Sequence, residues 1–139
     1  MVDTNVMVAA MISAKGVNLQ VLRACFLGKA RPVIGQPLFL EYEDVLARPH
    51  LKARSPLSGT DRRKLLEAFL SVCEWVDVYF GWRPSLPDEG DNHLIELAVA
   101  GGVSYIVTNN ISDLTGGELR FPEIQVMRPL AFMKVEAIR

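Results

Sequence analysis

Apolar and polar positions fall into short blocks along this chain, and their spacing predicts strands alternating with helices. MVD, residues 1 to 3, has room only for the end of a first strand, with Val2 apolar and Asp3 at its exit. Leu19, Leu22, Phe26 and Leu27 share one side of a helix expected from Asn18 to Leu27, with Gly28 as its stop. RPVIG, residues 31 to 35, is a strand candidate between punctuating residues. Pro37 sits where a first helical turn tolerates proline. The helix it opens, LFLEYEDVLA, is expected to stop before Pro49, and a polar stretch then runs to Gly59. Thr60 is the expected N-cap of TDRRKLLEAFLSVCEW, with Leu65, Leu66, Phe69 and Leu70 on its apolar face. VDVYF, residues 76 to 80, is the next strand candidate. Asp91 opens the helix DNHLIELAVA, closed by Gly101 and Gly102. SYIVT (104 to 108) and IQVM (124 to 127) read as buried strands, and Pro129 opens a last helix, PLAFMKVEAI. Strand–helix alternation of this kind predicts an α/β layer architecture with a mostly parallel sheet.

Composition narrows the function classes. A chain of 139 residues, half of them hydrophobic, is expected to form one domain over 1–139 with a core of its own. A net charge of −1 provides no global cationic field for nucleic acid, although a local basic patch remains compatible with it. Cys25 and Cys73, each flanked by apolar residues, read as reduced buried thiols of a cytoplasmic protein, and no CxxC or Cys/His cluster points to zinc. There is no basic-then-apolar leader and no apolar run long enough to cross a bilayer, so no membrane partner is expected.

Parallel sheets bind ligands beyond the carboxyl ends of their strands. Asp3 ends the first strand, and Asn109 and Asn110 follow the SYIVT strand. Glu41 lies one turn into a helix that follows another strand, and Asp88 and Asp91 bracket the start of the helix before SYIVT. Carboxylates gathered at one edge repel one another unless a cation neutralises them. Hard oxygen donors without His or Cys favour Mg²⁺ or Mn²⁺, and such an ion points to phosphodiester hydrolysis. Each residue also has a structural reading. Asp3 and Asp91 can cap helices, Asp88 can shape the PDEGD turn, and Glu41 can be a solvated helix residue.

The segments VDTNVMVAA, PLFLEYEDVLARP, LPDEGDNHLIELAVAGGVSYIVTNN and VMRPLAFM resemble, in order, the landmarks of PIN-domain proteins. The nearest subgroup is the toxin component of toxin–antitoxin pairs, related to VapC toxins. The resemblance implies a three-layer α/β/α sandwich and a Mg²⁺- or Mn²⁺-dependent ribonuclease site. It also implies a cognate antitoxin partner and a homodimer. By position, Asp3, Glu41 and Asp91 match the family's acidic catalytic ligands, and Asp88 an additional acid just upstream. Asn110 falls where many PIN domains carry a fourth aspartate. A neutral amide there holds a second ion less firmly, which leaves one-ion and two-ion sites both open.

Thr4, Asn5 and Thr108 are short polar residues at the two strand exits, placed to orient Asp3 or to cap the next turn. Lys52, Arg54, Arg62, Arg63 and Lys64, with Asp61 the one acid among them, are the candidate surface for RNA phosphates, or else a solvated face. Two other functions stay open. A haloacid-dehalogenase-type phosphate enzyme also has an aspartate after its first strand, but needs a second carboxylate where Asn5 stands. A catalytically weak or inactive PIN domain would bind RNA or a partner without cleaving.

Overall fold

The computed structural model describes residues 1–13, 16–77, 92–111, 123–135 and 138, with 92 and 93 described by their backbone alone. Helix α1 spans Thr4–Ile12, α2 Val17–Phe26, α3 Gln36–Leu46, α4 Pro49–Arg54, α5 Gly59–Val72, α6 Asn92–Ala100 and α7 Pro129–Met133. The strands are β1 Val33–Ile34, β2 Glu74–Trp75, β3 Tyr105–Val107 and β4 Gln125–Met127.

All strand pairing is parallel among the described residues. β1 pairs with β2, β3 pairs with β4, and Val2 makes a single bridge to Val107 on the other edge of β3. The result is an α/β arrangement with small parallel sheets. The described residues form two separate strand pairs rather than the one central sheet of the expected sandwich. Glu74 and Val76 donate their N–H groups to the carbonyls of Pro32, just before β1, and Ile34, so both carbonyls are turned toward the β2 segment. A cavity of about 420 Å³ is lined from both pairs, by Val33 and Glu74 on one side and Val2, Tyr105 and Val107 on the other.

Helix α1 carries no amphipathic signal because it is buried nearly all round, with Val6, Met7, Ala10 and Met11 in the core. It packs on α2, α3 and α4, and α3 in turn touches α5 and α6. Tyr42 of α3 meets Phe69 of α5 edge-on, with ring centroids 5.9 Å apart. Gly35 lies between β1 and α3 where backbone and side chain crowd together. A Cβ there would come within 2.9 Å of Leu97 and 3.1 Å of the Val76 carbonyl. Gly101 and Gly102 follow the end of α6 as expected, and Gly102 takes the left-handed conformation at φ +61°.

Several local expectations need correction. The polar stretch after Pro49 contains α4, a short helix with proline in its first turn and only Leu51 buried. Such a piece leaves almost no periodicity to read. The N-cap of α5 is Ser58, not Thr60. The Ser58 hydroxyl accepts from the Asp61 N–H at 3.1 Å, and Asp61 adds a favourable negative charge to the first turn. The helix ends at Val72, and the following strand is Glu74–Trp75, ahead of the expected VDVYF, whose residues 78–80 lie outside the described ones. Leu27, expected on the apolar side of α2, is 65% exposed, and Val21 and Cys25 are buried instead. No single helix among the described residues is long and apolar enough to cross a membrane.

Tyr42 is wholly buried, and its hydroxyl donates to the Val2 carbonyl, tying α3 to the first strand. Tyr42→Phe strands that carbonyl and is expected to cost about 1–3 kcal/mol in urea unfolding, with the fold retained. Burial raises the Cys25 thiol to about 11 and the Cys73 thiol to about 12. A raised thiol pKa keeps the unreactive protonated form through neutral and mildly alkaline pH. Both cysteines are therefore expected to react slowly with a disulfide reagent at pH 8 in the native protein, and quickly in urea.

Candidate active site

The register of one strand pair builds the site. Val107 donates its N–H to the Met1 carbonyl at 2.9 Å, and Asp3 donates its own N–H to the Val107 carbonyl at 3.0 Å. Parallel pairing makes both strands leave the sheet at the same end, so Asp3 emerges beside Thr108. The chain then turns directly into α1, and Asp3 is that helix's N-cap, with Oδ1 accepting from the Thr4 N–H at 2.7 Å.

The other carboxylate oxygen is held by two side chains. Thr108, with no exposed surface, donates its hydroxyl to Asp3 Oδ2 at 2.8 Å, and Asn5 donates through Nδ2 at 3.1 Å. Asn5 Nδ2 also reaches Thr108 Oγ1 at 3.1 Å, and the Asn110 N–H donates to the same oxygen at 3.0 Å. Both amide protons of Asn5 are thereby used, and the Thr108 hydroxyl donates once and accepts twice. Such a closed set leaves Asp3 little rotational freedom.

Glu41 comes in from α3. The Thr4 hydroxyl donates to Glu41 Oε1 and lies 3.4 Å from Asp3 Oδ1. One hydroxyl proton cannot serve both carboxylates, so part of their repulsion remains. Burial raises the Asp3 pKa, the Thr108 hydrogen bond opposes the rise, and the Glu41 charge adds to it. Asp3 is only 7% exposed. Two hard oxygen donors that destabilise each other's charge, on a rigid polar frame, fit half of a Mg²⁺ or Mn²⁺ site. No group of three or more His, Cys, Asp or Glu side chains converges among the described residues. The remaining acidic candidates, Asp88 and Asp91, lie outside those residues.

The sequence profile of the PIN domain matches residues 1–112, covering the Asp3 turn, α3 with Glu41, and the β3 exit with Thr108. This chain belongs to the PIN-domain family. No curated protein and no solved structure matches it. PIN domains are generally nucleases and typically use divalent metal ions.

Within this PIN domain the structure brings together Asp3, Thr4, Asn5, Glu41 and Thr108. Asn110 is exposed and reaches the cluster through its backbone N–H. The basic stretch divides. Arg62 is buried and donates to the Leu57 carbonyl at 2.6 Å, clamping the turn before α5. Arg63 pairs with Glu43 at 2.5 Å and Glu67 at 3.4 Å. Lys52, Arg54 and Lys64 are exposed.

Two participants carried no signal in the sequence. Asn18 accepts from Asn109 Nδ2 at 3.0 Å, and Arg128 donates to the Asn109 carbonyl at 3.2 Å. Asn18 reads as an ordinary residue of a helix's first turn, and Arg128 as one preceding a proline.

Thr108→Val keeps the shape of the side chain but leaves Asp3 Oδ2 with Asn5 as its one side-chain donor and strands the second Asn5 amide proton and the Asn110 N–H. It is expected to destabilise the protein by about 1–3 kcal/mol. The shift of the urea midpoint at unchanged slope checks this.

Proposed function

We propose that this PIN domain is a Mg²⁺- or Mn²⁺-dependent endoribonuclease, the toxin component of a toxin–antitoxin pair. The observation that carries the proposal is the pair of carboxylates, Asp3 and Glu41, brought to one Thr4 hydroxyl at the carboxyl end of parallel strands. PIN-family membership adds the nuclease class. The finer family features are part of the same proposal. They are one domain over 1–139 with a mostly parallel sheet in three α/β/α layers, a cytoplasmic setting, a cognate antitoxin and a homodimer.

Asp3, Glu41 and Asp91 would hold the ion, with Asp88 and Asn110 as auxiliary ligands. A divalent ion supplies Lewis-acid activation of a phosphodiester and of the water that attacks it. The protein's own contribution is placement. Thr108 and Asn5 hold Asp3 Oδ2, the Thr4 N–H holds Oδ1, and the burial of Asp3, Thr4 and Thr108 strengthens the hydrogen bonds among them by excluding water. Lys52, Arg54 and Lys64 offer exposed cations for the RNA backbone, while Arg62 and Arg63 are engaged within the protein.

The neutral, exposed Asn110 favours a second reading, a PIN domain that binds RNA or a partner with little or no cleavage. Isothermal titration with Mn²⁺, together with cleavage of a short single-stranded RNA, separates the two. The nuclease reading expects Mn²⁺ binding and Mn²⁺-dependent cleavage, both lost in Asp3→Asn and in Glu41→Gln. Mn²⁺ at about a hundred times its Kd is expected to stabilise the wild type by about 2.7 kcal/mol and to leave Asp3→Asn unmoved. Cleavage that persists in an Asp3→Asn, Asp91→Asn double variant overturns the assignment.

A further inference from the structure

Beyond the carboxylates, three asparagines from three different elements are linked in line toward Asp3, two by their side chains and the middle one by both side chain and backbone. Asn18 sits in the first turn of α2, Asn109 in the exit loop of β3, and Asn5 in the first turn of α1. Asn109 Nδ2 donates to Asn18 Oδ1 at 3.0 Å. The Asn109 backbone N–H donates to Asn5 Oδ1, also at 3.0 Å, and Asn5 Nδ2 donates to Asp3 Oδ2 at 3.1 Å. We propose that Asn18 is a positioning residue for the Asp3 carboxylate, acting through Asn109 and Asn5. This rests on the reading of Asp3 as a cation ligand.

The amide of Asn5 has two faces that cannot be exchanged. Its oxygen meets the Asn109 N–H, so its nitrogen is forced toward Asp3 Oδ2 and Thr108 Oγ1. A flipped Asn5 would set two donors against each other at Asn109 and two acceptors against each other at Asp3. The orientation of Asn5 therefore depends on where the exit loop holds the Asn109 N–H. That loop residue is tethered on three sides: its N–H to Asn5, its carbonyl to exposed Arg128, and its side-chain amide to Asn18 at 3.0 Å and, more loosely, to Asn5 Oδ1 at 3.5 Å. Of the two outer anchors, the Arg128 guanidinium is exposed and its bond is the longer, at 3.2 Å. Asn18 is half-buried on a ten-residue helix that packs against α1, the helix Asp3 caps. It is the anchor that carries the placement of α2 to the carboxylate. The N-cap of α2 is Gly16, which makes no side-chain cap, and the Asn18 oxygen faces across to Asn109.

The test uses the full chain with three variants. Asn18→Ala removes the acceptor, Asn18→Ser shortens the side chain while staying polar, and Asn18→Asp keeps an oxygen where Asn109 Nδ2 donates. In the metal-free protein, the side-chain amide signals of Asn5 in ¹H–¹⁵N spectra are expected to shift in Asn18→Ala and Asn18→Ser. They are expected to return to the wild-type positions in Asn18→Asp. Titration with Mn²⁺ alone should show affinity lowered by roughly tenfold in Ala and Ser, the low end for groups that orient a metal ligand. Asn18→Asp should bind at least as tightly as the wild type. Unchanged Asn5 signals in Asn18→Ala overturn the proposal whatever the metal does. Equal loss of affinity in Ala, Ser and Asp, tracking a common fall in melting temperature, also overturns it and leaves Asn18 a structural residue. A wild type that binds no Mn²⁺ while its Asn5 signals move in Asn18→Ala refutes the metal reading and upholds the positioning of Asp3.

Discussion

The parallel bridge between Val2 and Val107 is the contact on which this structure depends. It is a single bridge, closed by the Val107 N–H on the Met1 carbonyl and the Asp3 N–H on the Val107 carbonyl. Because the two segments run in the same direction, the residues that follow them emerge side by side. Asp3 meets Thr108, Asn5 meets Asn109, and two stretches more than a hundred residues apart share one polar network. An antiparallel pair would have sent the two exits to opposite ends. The Tyr42 hydroxyl on the Val2 carbonyl holds the same segment from α3, the helix that also delivers Glu41.

Asp3 serves two roles that are usually alternatives. It caps α1, which would satisfy a purely structural account, and, itself nearly buried, it stands near a second carboxylate. A cap alone would gain from a solvated aspartate, since burial raises the cost of its charge. Here burial and Glu41 both push toward the protonated form, and the hydrogen bonds from Thr108, Asn5 and Thr4 oppose them. Electrostatic tension of this kind is common where a site awaits a partner of opposite charge. The same tension makes the site a cost to the fold in the absence of that partner.

The basic stretch shows how tertiary structure redistributes charge. Five cations in thirteen positions look alike in the sequence, yet Arg62 is drawn inside to hold a turn and Arg63 is balanced by glutamates of α3 and its own helix. What remains for an anionic partner is narrower than a count of lysines and arginines implies. It also lies on different elements, α4 and α5.

Most helices were legible because their apolar spacing, prolines and glycines are local properties of the chain. α2, α3, α5 and α6 fall within a few residues of their expected spans, and the strands at Val33, Tyr105 and Gln125 lie inside their apolar runs. Helix α1 was not legible, since it is buried nearly all round and shows no period, and neither were the short helix α4 and the strand at Glu74–Trp75. Six residues with one buried leucine hold no period, and an exposed strand is defined by its partner rather than by its own pattern. At the site, Asp3, Glu41, Thr4, Asn5 and Thr108 could be nominated because each stands at a strand exit or on the helix behind one. Asn18 could not, since nothing in its own neighbourhood in the sequence points to Asn109. The chain by itself determined which residues could bind a hard cation and which segments could fold locally. Only the tertiary structure decided which of them meet, because hydrogen bonds across 91 to 105 residues depend on strand register and helix placement.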